Sequence, residues 1–134
     1  MSVEHVEVLV EEPSMEAALR ELLPKILTRV TFHIYPFQGK ADLLQRLPNR
    51  FRGYANWLPK NWRVIVIVDR DDDDCRKLKQ QLEQMATEAR LVTKTRAGNK
   101  PYTVINRLAI EELEAWYFGD WDAVKAAYPR VSVK

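Results

Sequence analysis

The chain has 134 residues, 46% hydrophobic and 30% charged, a balance that suits one soluble globular domain able to bury a real core. It holds no stretch near the roughly 18 uninterrupted apolar residues that span a bilayer, and its N-terminus carries acids rather than a basic region followed by an apolar one, so no membrane span or secretory leader is expected and the expected location is cytoplasmic. The single cysteine, Cys75, excludes an intrachain disulfide and any cysteine-based zinc cluster, while the net charge of +2 says little about partners until its distribution is considered.

In chain order, "HVEVLVE" alternates Val6, Val8 and Val10 with other residues and reads as a strand ending at Glu11. "EPS" follows, with Ser14 as an expected N-cap. Ala18, Leu19, Leu22, Leu23, Ile26 and Leu27 then have helical spacing, and Pro24 is expected to kink or stop that helix. "VTFHIYPF" is a second strand, closed by Pro36 and Gly39. His5 and His33, 28 positions apart, make a poor metal signature and are expected to be structural.

From residue 40 to 58 the pattern is helical but interrupted by Pro48 and Gly53, so two short helices, or a helix and a loop, are expected. "RVIVIVD" is apolar on both faces and reads as a central strand of a parallel sheet. Leu78, Leu82, Met85, Ala86 and Ala89 give a clear amphipathic helix after it. "LVTKT" reads as a short strand, "RAGNKP" as a loop and "YTVINRLAI" as another strand; "EELEAWYFG" and "WDAVKAAYP" read as two short helices. Strands alternating with helices argue for an α/β fold with a mostly parallel central sheet of about four strands flanked by helices. One domain over residues 1–134 is expected. The chain stops at "PRVSVK" without a clear closing element, so either a C-terminal segment is missing or the last helix frays.

Charge is unevenly placed. Residues 40–63 hold Lys40, Arg46, Arg50, Arg52, Lys60 and Arg63 against one acid, Asp42, with Phe51, Tyr54, Trp57 and Trp62 interleaved. Residues 91–110 hold Lys94, Arg96, Lys100 and Arg107 and no acid. Acids concentrate at residues 11–21, 69–74 and 111–114. Cations around an acidic focus are what phosphodiester chemistry needs, because the cations hold the polyanion and the carboxylates hold the metal. The bland alternative is a set of solvated loops.

In a parallel sheet, strands that feed crossover helices point the same way, so the ends of "HVEVLVE" and "RVIVIVD" are expected on one rim, with Glu11 and Asp69 together. While the chain stays extended, Asp69 and Asp71 project to one side and Arg70 to the other. Such carboxylates can chelate a hard divalent cation. Asp72, Asp73 and Asp74 precede a helix and are expected to cap its orphan amides. On the "AIEELEAW" helix Glu111 and Glu114 lie three apart on one flank, and Trp116 belongs to its apolar arc.

These residues resemble a known group. "VLVEEPSMEAAL" followed by "VIVIVDRDDDD" looks like the Toprim catalytic domain of topoisomerases, bacterial primases and OLD-type nucleases. The late "LAIEELEAWYFGD" is similar to a glutamate and tryptophan motif of RloB-like proteins and an allied bacterial Toprim-like family of unknown function. The resemblance implies a three-layer, Rossmann-like Toprim fold and magnesium-dependent phosphodiester hydrolysis on DNA or RNA, with manganese able to substitute. In that branch it also implies a phage-defence setting with an AAA- or ABC-type ATPase partner. Carried across, Glu11 is the strand-end glutamate, Asp69 and Asp71 the metal pair, Glu16 a further acid and Glu114 the late glutamate; Glu12 stands where the family has a glycine.

Arg70, Arg96, Lys100 and Arg107 are the expected phosphate contacts. No tyrosine has support as a nucleophile, which favours hydrolysis over transesterification. An Asp-x-Asp phosphatase is a rival, weakened because residues 73–76 lack a hydroxyl; a nucleotide-sugar transferase has little room for an acceptor site in so short a chain. A non-catalytic module binding nucleic acid or an ATPase is the rival of a different class. Four tryptophans leave room for an apolar homo-oligomer interface.

Overall fold

Five consecutive apolar residues, Val64 to Val68, need cover on both faces, and the fold supplies it. The structure is a computed structural model that describes residues 3–69 and 75–109. Its elements are β1 (His5–Val10), α1 (Pro13–Ile26), β2 (Thr31–Pro36), α2 (Lys40–Trp57), β3 (Trp62–Asp69), α3 (Cys75–Glu88), the one-turn α4 (Lys94–Ala97) and β4 (Val104–Ala109). All strand pairs are parallel, in the order β2-β1-β3-β4. This is a three-layer, Rossmann-like α/β fold.

The strand order fixes which helix covers which face. The chain moves outward from β1 to β2, then reverses past β1 to reach β3 and continues to β4. Because parallel crossovers are right-handed, that reversal moves the connecting helix to the other face. Accordingly Val6, Val8, Val10, Ile34, Ile65, Ile67 and Ile105 pack with Met15, Leu19, Leu23 and Ile26 of α1. Leu9, Val64, Val66, Val68 and Val104 pack instead with Leu43, Leu47, Phe51 and Tyr54 of α2 and Leu78, Leu82 and Ala86 of α3. The point of reversal lies between β1 and β3.

Helix α2 is a single helix of 18 residues, not two short ones. Leu43, Leu47, Phe51 and Tyr54 fall at i, i+4, i+8 and i+11 and are all buried, and burying that stripe outweighs the one backbone bond that Pro48 removes. Likewise α1 runs through Pro24 to Ile26, where the proline sits in the last turn. Its N-cap is Glu12 rather than Ser14, with Pro13 at the first helical position that suits proline. "LVTKT" is not a strand: Thr93 makes one isolated bridge to Val104, then caps α4 by accepting from Arg96 N–H at 3.3 Å.

Helix α3 ends in a left-handed cap. Leu91 N–H donates to Ala86 C=O at 2.9 Å and Arg90 N–H to Thr87 C=O at 2.9 Å, with Arg90 at φ 67°. A side chain there strains the backbone, so Arg90→Gly is expected to raise stability by about 1 kcal/mol, read as a higher urea midpoint with an unchanged slope.

Candidate functional site

Three of the four strands are followed directly by helices that begin at the carboxyl edge of the sheet, so the N-termini of α1, α2 and α3 share that rim with the strand ends. Each terminus presents orphan amides and the positive end of a helix dipole. The reversal between β1 and β3 lies along this edge, and the carboxyl edge at such a reversal is where open α/β sheets bind ligands.

Glu11 follows β1 immediately, and Asp69 ends β3. Val10 is in register with Ile67, so Glu11 leaves β1 level with Val68 of the neighbouring strand, and Asp69 follows one position further along at the same rim. Glu11 is buried, 6% exposed. Its carbonyl accepts from Gly39 N–H at 2.7 Å, which ties the start of α2 and hence Lys40 to the β1 end. Lys40 is the rim cation that sequence reasoning did not single out, because only the Gly39 to Glu11 bond brings residue 40 beside residue 11.

Gly39 has φ 113° and ψ 172°, a conformation open to glycine and strained for other residues. An added Cβ would meet nothing within 4 Å, so the strain is purely dihedral. Gly39→Ala is expected to lower stability by about 1–3 kcal/mol, measured by urea denaturation. Three positions after Gly39, the Asp42 carboxylate accepts from Gln38 N–H at 2.9 Å and from Arg46 Nε at 2.7 Å. The backbone hydrogen bond, with Arg46 adding to it, holds its carboxyl below the usual range.

Glu12, standing where a glycine is expected from the Toprim resemblance, has φ −150° and ψ 158°. That is ordinary extended backbone, so this connection does not require glycine. Glu16 lies in the first turn of α1, where its Oε2 accepts from Arg20 Nη2 at 2.6 Å and Nε at 3.0 Å.

The expected phosphate contacts separate. Arg107 on β4 is in register with Ile67, two positions below the Asp69–Ala109 pair, so it lies towards the rim. Its Nε is buried and makes no hydrogen bond among the described residues. Arg96 and Lys100 belong to the segment that leads into β4, and that segment lies at the amino edge of the sheet, as the bond from Val64 N–H to Thr103 C=O requires. Parallel strands put the entry and exit of β4 at opposite edges, so neither residue joins Glu11 and Asp69. Arg70, Asp71 and Glu114 lie outside the described residues, as do Asp72 to Asp74 and the two expected helices after residue 110.

A groove lined by Phe37, Gln45, Arg46, Asn49 and Arg50 descends along α2 from the rim on the β2 side. The Arg50 guanidinium lies 4.1 Å from the Tyr35 ring centroid. On the far side of the sheet's reversal, Glu83 of α3 is 5% exposed and accepts from Thr93 Oγ1 at 2.5 Å and Asn106 Nδ2 at 2.8 Å. Lys79 Nζ lies 3.6 Å from it and also donates to the Asn106 carbonyl. This network docks α3 on β4, with the Asn106 Oδ1 buried and making no hydrogen bond among the described residues.

Glu11 brings a buried carboxylate to this rim, and oxygen donors of that kind suit a hard cation such as magnesium. Among the described residues no helix is long and apolar enough to cross a membrane. No curated protein and no solved structure matches the chain. The family described as Domain of unknown function (DUF4276) matches residues 10–133, from the last residue of β1 through nearly the whole remaining sequence, and the chain belongs to this family.

Proposed function

We propose that the protein is a Toprim-like, magnesium-dependent nuclease that hydrolyses phosphodiester bonds in nucleic acid. The observation that carries this reading is the parallel β1–β3 register, which delivers Glu11 and Asp69 from distant parts of the chain to one rim at the reversal point. Asp71, two positions on, adds a further acid in the sequence. Magnesium held there supplies a polarised phosphate and a more acidic water.

The chain's own residues do the rest. Asp69, Asp71 and Glu11 would hold the ion, since all three offer hard oxygen donors. Burial of Glu11 and the Gly39 tether fix its position before substrate arrives, so little reorganisation is needed during reaction. The N-termini of α1, α2 and α3 and the guanidinium of Arg107 favour negative charge at the same edge. Arg46 and Arg50 in the α2 groove extend that positive surface along a bound strand. Arg96 and Lys100 lie at the other edge, away from these residues.

The test is incubation of the purified chain with labelled DNA and RNA, single- and double-stranded, with magnesium or with chelator. Cleavage that needs magnesium supports the proposal. Binding without cleavage under every condition favours the non-catalytic module and removes the nuclease assignment.

A further inference from the structure

At the opposite end of the sheet, a carboxylate sits where the packing pattern calls for an apolar residue. Glu7 lies between Val6 and Val8 on β1, on the face that α2 covers, and is only 3% exposed. Parallel register places it beside Val64 of β3 and His33 of β2, while His5 lies two positions before it on the same face. Its ion-pair partners among the described residues are the two imidazoles: Oε2 is 2.8 Å from His5 Nε2 and 3.8 Å from His33 Nδ1. Tyr54 Oη donates to Oε1 over a long 3.4 Å. Arg50, the nearby cation, spends its guanidinium on the Tyr35 ring and on Tyr54 Oη at 3.3 Å. A carboxylate this buried requires a cation or a full set of donors.

Thr31 Oγ1 lies 2.7 Å from His5 Nδ1 and donates to the Glu4 carbonyl at 3.3 Å. On the other side of the ring, His5 Nε2 lies 2.8 Å from Glu7 Oε2. A proton or a metal ion between nitrogen and carboxylate holds such a contact.

From this geometry we infer a transition-metal site formed by His5 Nε2, the Glu7 carboxylate and His33 Nδ1, selective for zinc or a similar late first-row divalent ion. One ligand atom from each lies within 4.8 Å of the others. Tetrahedral ligands at about 2.0–2.1 Å from zinc are roughly 3.3 Å apart, between the two separations found. His33 stands on the edge strand with its side chain 65% exposed, so its ring is free to close the longer gap. Two imidazole nitrogens and one carboxylate form a three-ligand set that leaves a position for water, and such a set prefers zinc, cobalt or nickel over magnesium.

The surroundings fit a held ligand set. The Thr31 hydroxyl, 2.7 Å from His5 Nδ1, holds the orientation of the ring, the role outer partners take at metal sites. The Trp62 ring lies 4.1 Å from the His5 ring, fixing its plane. Tyr35 Oη, 2.9 Å from His33 Nδ1, is placed to hold a metal-bound water once that nitrogen turns to the ion.

The experiment is a titration of chelator-treated protein with cobalt(II) in saturating magnesium, which fills any all-oxygen site. Visible d–d absorption and quenching of Trp62 fluorescence are followed, and zinc is then added. The site predicts one equivalent of cobalt taken up with d–d bands, released by zinc, and bound at least about tenfold more weakly in His33→Ala and in Thr31→Val. His33 is exposed, so its variant keeps the fold, which circular dichroism checks. No cobalt uptake in magnesium overturns the inference. Uptake equal in wild type and both variants overturns it as well.

Discussion

Asp69→Asn is expected to reduce magnesium-dependent cleavage at least about a hundredfold while leaving the fold intact. Asparagine keeps the size of the side chain at the end of β3 and removes its charge. Losing even an outer-shell partner of a metal site costs about 10–100-fold, and a direct ligand should cost more, or upwards of about 2.7 kcal/mol in the barrier. Glu11→Gln should fall in the same range, because its neighbour on β1 is held at the same rim. Raising magnesium should partly restore either variant if the loss lies in ion binding. Initial rates against magnesium concentration measure this, and cleavage unchanged by both substitutions would remove the rim from the mechanism.

Phe51→Ala is expected to cost about 3–5 kcal/mol, the largest stability loss among single changes in α2. Phe51 is wholly buried in the cluster with Leu43, Leu47, Tyr54, Val64 and Val66. The same stripe carries α2 through Pro48 and Gly53, so its loss weakens the helix as well as the core. For a domain of this size the change consumes much of the total stability. A urea melt followed by tryptophan fluorescence and circular dichroism checks it; a shift under about 1 kcal/mol would mean that α2 does not depend on this anchor.

These two residues also show how far the sequence could be read. Strand β3 and helix α3 were legible because their apolar spacing is long and has one interpretation, and the parallel sheet followed from alternation of strands with helices. The break expected in α2 failed because proline and glycine act locally, whereas Leu43, Leu47, Phe51 and Tyr54 act together through burial that only the tertiary fold creates. Thr93 looked like part of a strand because β-branched residues favour extended backbone, yet its hydroxyl serves a cap and the buried Glu83.

In the candidate site, Glu11 and Asp69 could be assigned to one rim because a single rule of strand direction governs both. The cations could not. Arg96, Lys100 and Arg107 share one acid-free stretch, but β4 begins between Lys100 and Arg107 and carries the third away from the amino edge where the first two lie. Lys40 was missed for the converse reason: a left-handed glycine and one backbone hydrogen bond bring it to the Glu11 end of β1. His5 and His33 are far apart in the chain, and only the parallel register that sets Glu7 opposite His33 gathers them.

Crystals soaked in manganese and measured for anomalous scattering test the central claim most directly. The account predicts an anomalous peak at the carboxyl edge between the ends of β1 and β3, within coordinating distance of Glu11 and Asp69 and lost in Asp69→Asn. A map with no ion at that edge, whether empty throughout or occupied only beside Glu7, would contradict it.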